Sequence, residues 1–120
     1  MTADSKRRQR HTRRRHTVTA VALGLALSAC DKTDPVLEQG KVVWDGTCKV
    51  CHLNGMAGAP KIGDTFVWKN RIAQGTDVLV SHALNGFEGN QGTMPARGGN
   101  PGLTDSEVAA AVQYMVSQSE

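Results

Sequence analysis

A chain of 120 residues has room for one small domain. Its formal charge of +3 is misleading: seven of the fourteen Lys and Arg (Lys6, Arg7, Arg8, Arg10, Arg13, Arg14, Arg15) crowd the N-terminus, and the 91 residues from Cys30 onward carry seven basic against ten acidic side chains, a net of −3. This acidic balance excludes nucleic acid as the partner implied by a basic whole-chain pI, and three cysteines are too few for a disulfide-stapled scaffold.

The basic arm leads into an uncharged run from Val18 to Ala29 that ends in Leu27-Ser28-Ala29-Cys30. A basic n-region, a short apolar h-region and small residues at its end make residues 1–29 a secretory signal peptide. The run is too short to span a bilayer, which takes roughly 20 residues. Its end resembles the lipobox of bacterial lipoproteins, which implies acylation of Cys30 as the mature N-terminus. An ordinary signal peptide cleaved nearby, with Cys30 left as a free thiol, is the other reading; lipidation also accounts for an otherwise unpaired cysteine in an exported chain. Resemblance to enterobacterial lipoproteins makes Asp31 a signal favouring the inner membrane over the outer, and Arg13-Arg14 also fits twin-arginine export. Residues 30–34 are then a short tether, and residues 35–120 the folded domain.

The domain reads as helical. Asp34 before Pro35 is a cap followed by a good first helical residue, and Val36, Leu37, Gly40, Val43 and Trp44 form a stripe that ends near the motif Cys48-Lys49-Val50-Cys51-His52. Asp64 is placed to cap a second helix with Val67, Trp68, Arg71 and Ile72 on one side and Gly75 as its stop. Thr76 is placed to cap a third, with Leu79, Val80, Ala83 and Leu84 as its seam and Gly86 as its stop. Residues 87–103 are Gly-rich and too irregular for helix, and no segment sustains strand alternation. Thr104-Asp105-Ser106-Glu107 is a capping-box pattern, followed by Val108, Ala111, Val112 and Met115 at helical spacing. With five aromatic residues in all, the domain is short of core, and a bound group is expected to supply apolar volume.

Three chemistries compete for Cys48, Cys51 and His52. Structural zinc needs four Cys or His ligands, and beyond His52 the domain offers only His82. A thioredoxin-like dithiol belongs where a strand enters a helix, and the flanks here are helical. Both readings leave His52 idle. Covalent haem attachment uses all three residues, with Cys48 and Cys51 as thioethers and His52 as an iron ligand, and it requires the export that residues 1–29 supply. For the sixth ligand, Met56 is held on the His52 side by a short tether. Met115 continues an apolar stripe and reads as core, while His82 flanks a helix seam and reads as surface or half-buried. Met94 lies in the irregular loop before Pro95, where backbone can fold across the far face of the haem, and it is the residue chosen.

With these residues in place the chain resembles class I c-type cytochromes, most closely the bacterial cytochrome c5 group, over nearly all of residues 36–118. The matching stretches are C-K-V-C-H at 48–52, G-A-P-K at 58–61, W-K-N-R-I-A-Q-G at 68–75, A-L-N-G at 83–86, M-P-A-R-G-G at 94–99 and A-V-Q-Y-M at 111–115. The resemblance implies an all-α fold of four to five helices around one covalent haem c, with His52 and Met94 as iron ligands. It also implies a Pro60 carbonyl that orients the His52 ring, and Gly40 and Trp44 at a crossing of the first and last helices near Tyr114. Trp68 and Arg71 fall where the family places polar groups near a haem propionate, against plain readings as core packing and a solvated cation. The chain departs from the group at Asn100 and Leu103, where many members carry a second C-x-x-C, and in the long segment Glu88 to Gly92 before Met94.

The function expected is a single-haem electron carrier rather than an enzyme. It would stand on the periplasmic side of a bacterial membrane and serve redox proteins, membrane-bound respiratory complexes first among them. A tether of about four residues reaches roughly 14 Å, which keeps the domain near the bilayer. The alternative from another class is a haem-based enzyme or gas sensor, which needs a labile sixth ligand.

Overall fold

The computed structural model describes residues 33–120. Helix α1 (Pro35–Val43) starts where Asp34 accepts a hydrogen bond from the Val36 amide at 2.8 Å, with Pro35 as the first helical residue. Its apolar stripe ends near the motif as expected, and so does α1, but helical backbone does not stop there. Instead the chain continues through a single π-helical turn, Trp44–Cys48, into α2 (Lys49–His52), so the motif lies on helix throughout. A π turn is wider than an α turn and often marks a functional position; nothing in the apolar spacing forecasts it.

A loop returns from α2 through a 3-10 turn, Met56–Gly58, to α3 (Thr65–Ile72), which Asp64 caps through the Val67 amide at 3.1 Å. Helix α4 (Thr76–Asn85) begins one residue earlier than expected. Gly75 is its N-cap, Thr76 is its first helical residue, and no side chain caps it. The segment read as an irregular loop contains a small antiparallel hairpin, β1 (Phe87–Gly89) with β2 (Gly92–Met94), in register Phe87 with Met94 and Gly89 with Gly92. Strands of three residues are too short for alternation to be visible in sequence. A 3-10 turn, Ala96–Gly99, then leads to α5 (Asp105–Ser117), whose capping box between Thr104 and Glu107 is complete.

Helices α1 and α5 cross in close contact. A Cβ built on Gly40 would lie 2.1 Å from the Ala110 carbonyl oxygen and 2.8 Å from Tyr114 Cβ, so only glycine permits this approach. One turn on, the rings of Trp44 and Tyr114 meet at 6.4 Å. The core joins Trp44, Trp68 and Ala83 to the face of α5 formed by Val108, Val112, Met115 and Val116. At the C-terminus the buried Ser119 hydroxyl accepts a hydrogen bond from the Gly63 amide at 3.0 Å, tying the end of the chain to the start of the α3 region. This core is small and incomplete, because one of its sides faces a cleft.

Candidate functional site

The cleft has a volume of about 560 Å³ and is lined by Cys48, Cys51, His52 and Met94 together with apolar side chains of α4 and α5. That size lies within the roughly 300–1,000 Å³ of small-molecule and cofactor sites. The continuous helix from α1 into α2 places Cys48, Cys51 and His52 at i, i+3 and i+4, spacing that sets them on one face. Both thiols are free. Burial pushes the Cys48 thiol up from its ordinary pKa, so it is a neutral thiol at neutral pH, opposite to the depressed value of a reactive dithiol centre.

His52 is buried and fixed by the loop that follows it. Its Nδ1 lies 2.9 Å from the Pro60 carbonyl oxygen, and since a carbonyl only accepts, the ring proton is on Nδ1. The His52 carbonyl in turn accepts from the Ile62 amide at 2.9 Å. Nε2 is thereby left with its lone pair and, among the described residues, no hydrogen-bond partner, on a residue that lines the cleft. Burial, with the Arg71 guanidinium as a smaller contribution against the opposing Pro60 bond, lowers the His52 pKa and keeps the imidazole neutral, the form that binds a metal.

Met94 ends β2, half-buried against the core, and lines the same cleft. Met56 is exposed as the first residue of the 3-10 turn and Met115 is buried in the core as its apolar stripe suggested; both also border the cleft. His82 is half-buried and stacked on Phe87 at 4.3 Å. Trp68 is buried in the core, borders the cleft, and donates its indole N–H to the Lys61 carbonyl at 2.7 Å. Arg71 also borders the cleft, half-buried, with Nη1 donating to the Val67 carbonyl at 2.6 Å. Cys30 lies outside the described residues.

Two features of the site escaped the sequence reading. The hairpin tip rests backbone to backbone on the turn after the motif: a Cβ on Gly58 would lie 2.0 Å from the Gln91 carbonyl oxygen, and one on Gly92 would lie 2.0 Å from that of Ala57. The long segment Glu88 to Gly92 therefore reaches from the Met94 side of the cleft to the His52 side. The other feature is a set of hydrogen bonds from Arg97 to the start of α5. Glycines spaced far apart that meet in space leave no local sequence signal, whereas a lone arginine eight residues before Asp105 was a visible, if weak, one.

The donor set fits haem c. Two thiols and an imidazole share one helical face, the imidazole presents a free nitrogen, a thioether lines the same cleft, and the walls are largely apolar. Among the described residues no group of three or more His, Cys, Asp or Glu gathers where it could hold a metal ion, which leaves the motif without the partners zinc needs.

Comparison with known proteins agrees with this chemistry. Residues 35–115 match the family described as cytochrome c oxidase, cbb3-type, subunit III. The chain is 51% identical over 81 residues to cytochrome c-555 of Chlorobaculum thiosulfatiphilum, covering 68% of this chain and 94% of that one. It is 39% identical over 70 residues to cytochrome c5 of Ectopseudomonas mendocina, covering 57% and 76%. The c-555 likeness is thus stronger than the c5 likeness the motifs suggested. Among solved structures it resembles one described as the electron transfer complex of nitrite reductase with cytochrome c, with a TM-score of 0.62, 36% identity, and coverage of 74% of this chain and 100% of that one. From its fold, its C-x-x-C-H helix and these relatives, the chain belongs to the class I c-type cytochromes, electron-transfer proteins that carry one covalent haem c.

Proposed function

We propose that His52 and Met94 would ligate the haem iron, and that Cys48 and Cys51 would hold the haem as thioethers. The observation that carries this reading is one cleft lined by both Met94 and a His52 ring whose Nδ1–H is held by Pro60 at 2.9 Å. When bound, the haem supplies a one-electron centre, and methionine as sixth ligand raises its potential. The protein's own part is to hold still around that change. Pro60 fixes the orientation of the His52 ring and raises its basicity, Met94 closes the far side to small molecules, and the apolar walls exclude water. Arg71, a half-buried cation at the cleft, is proposed to face a haem propionate, and Trp68 to brace the segment from Lys61 through its indole N–H.

The partners are redox proteins. The solved neighbour in complex with nitrite reductase supports a protein surface as donor or acceptor. The proposed placement is the periplasmic side of a bacterial membrane. Residues 1–29 would be removed as a signal peptide, Cys30 would carry lipid, and residues 30–34 would keep the domain 35–120 close to membrane-bound respiratory complexes. The basic, then apolar, N-terminal pattern and Asp31 support this, and no helix among the described residues is long and apolar enough to cross a membrane. The ligation is tested by adding carbon monoxide to the reduced protein. The wild type should bind it slowly or not at all and Met94→Leu should bind it rapidly; equal, rapid binding by both would overturn Met94. Attachment is tested by phase partition, where loss of membrane association in Cys30→Ser is expected and unchanged association would refute lipidation.

A further inference from the structure

Met94 is followed by Pro95 and the turn Ala96–Gly99, and within that turn Arg97 has φ +53°, a left-handed conformation that a residue with a Cβ adopts at a cost. Its side chain accounts for why it is there. Nη1 donates to the Leu103 carbonyl at 2.9 Å and Nη2 to Asp105 Oδ1 at 2.6 Å. Asp105 is the first residue of α5, and Val108, Val112 and Met115 of that helix line the cleft. The guanidinium therefore fastens the loop that carries Met94 to the helix that forms the cleft wall. A second, weaker contact joins the same loop to the motif, where Asn100 Nδ2 donates to Thr47 Oγ1 at 3.3 Å beside Cys48. On the other side of Met94 the loop is braced by the contact of Gln91 and Gly92 with Ala57 and Gly58. Downstream of Met94, Arg97 makes the only ion pair among the described residues of the loop.

We propose that Arg97 is a positioning residue for Met94: its two hydrogen bonds hold the loop closed and set how often the thioether leaves the iron. This rests on Met94 as the sixth ligand. An arginine fork takes the Leu103 carbonyl and the Asp105 carboxylate at once, which a lysine ammonium does not reproduce. The Asp105 end is exposed and screened by solvent, so the Leu103 end contributes the larger share.

The experiment uses the oxidised holo-protein and cyanide, which binds ferric iron only while Met94 is away. Arg97→Gln should bind cyanide about tenfold faster than wild type, the usual scale of a charge-assisted hydrogen bond. Arg97→Lys should fall between, and Asp105→Asn should bind about threefold faster. Far-ultraviolet circular dichroism should be unchanged in each. Glu107→Gln is the control, because it weakens the α5 cap at Thr104 while leaving both Arg97 acceptors, the Leu103 carbonyl and the Asp105 carboxylate, unaltered, and its cyanide rate should match wild type. Unchanged rates in Arg97→Gln, or an equal rise in Glu107→Gln, would overturn the proposal and leave the ligation standing. A wild type that lacks a far-red methionine–iron band would instead remove the ligation itself. If Arg97→Gln does not yield folded holo-protein, Asp105→Asn decides, since it keeps the Leu103 bond.

Discussion

A methyl group added at Gly40 has no room where α1 crosses α5. Its carbon would lie 2.1 Å from the Ala110 carbonyl oxygen, 2.7 Å from the carbonyl carbon and 2.8 Å from Tyr114 Cβ. Two of these neighbours are backbone, so the helices must part by about 1 Å before the contact becomes tolerable in a close-packed interior. Overpacking of this kind costs roughly 1–3 kcal/mol or more, against a gain of about 1 kcal/mol from replacing a helical glycine with alanine. Approaches this short to backbone atoms place the cost at or above the top of that range, so the net loss expected for Gly40→Ala is about 2 kcal/mol. For a domain of this size that lowers the unfolding midpoint by roughly 8–16 °C. Thermal unfolding of the oxidised holo-protein, followed by circular dichroism, reads it. Gly46→Ala is the internal contrast: Gly46 lies on the same run of helix with nothing within 4 Å of an added Cβ, and it should be neutral or slightly stabilising. If Gly40→Ala matched Gly46→Ala, the reasoning from the crossing would be refuted.

Other outcomes follow from the site and its supports. The Cys48→Ala/Cys51→Ala double variant should lose covalent haem and, with the cleft unfilled, be largely disordered by circular dichroism; a well-folded product would contradict a core completed by haem. Trp68→Phe replaces the indole by a smaller ring and leaves the Lys61 carbonyl without its donor, and should cost at least about 1–2 kcal/mol by chemical denaturation; no loss would mean the bond is immaterial. The Thr104 amide and hydroxyl, both 2.8 Å from the Glu107 carboxylate, hold its pKa below the usual carboxylate range. A group depressed on folding stabilises above its unfolded pKa and loses that stabilisation as pH falls through the folded one. The midpoint of wild type should therefore fall more steeply below the ordinary carboxylate range than that of Glu107→Gln, and parallel profiles would exclude the cap as the cause.

How much was legible in the sequence depended on how local the cause was. Asp34 with Pro35, Asp64, and Thr104 with Glu107 announce helix starts because capping acts across two or three residues, and all three caps form. The stripe Val108, Ala111, Val112 and Met115 is buried as read, because one face of a helix has one destination. Thr76 was misjudged as a cap because a good capping side chain one residue too late is indistinguishable in sequence from one in register. The hairpin and its contact with Ala57 and Gly58 were hidden, since the causes lie more than thirty residues apart and consist of missing side chains. Arg97 was read only as part of a motif, because its partners Leu103 and Asp105 matter only once the loop has turned back on α5. The motif Cys48 to His52 was legible as chemistry, while the π turn that aims it was not.

The central claim is a haem held by Cys48 and Cys51 and ligated by His52 and Met94, a centre closed to substrates and suited to passing single electrons. The most direct measurement is the far-red absorption spectrum of the purified, oxidised protein at neutral pH, taken for wild type and Met94→Leu. The account predicts a methionine–iron charge-transfer band in the wild type that vanishes in the variant. A wild type without the band, or a band that survives in Met94→Leu, would contradict it.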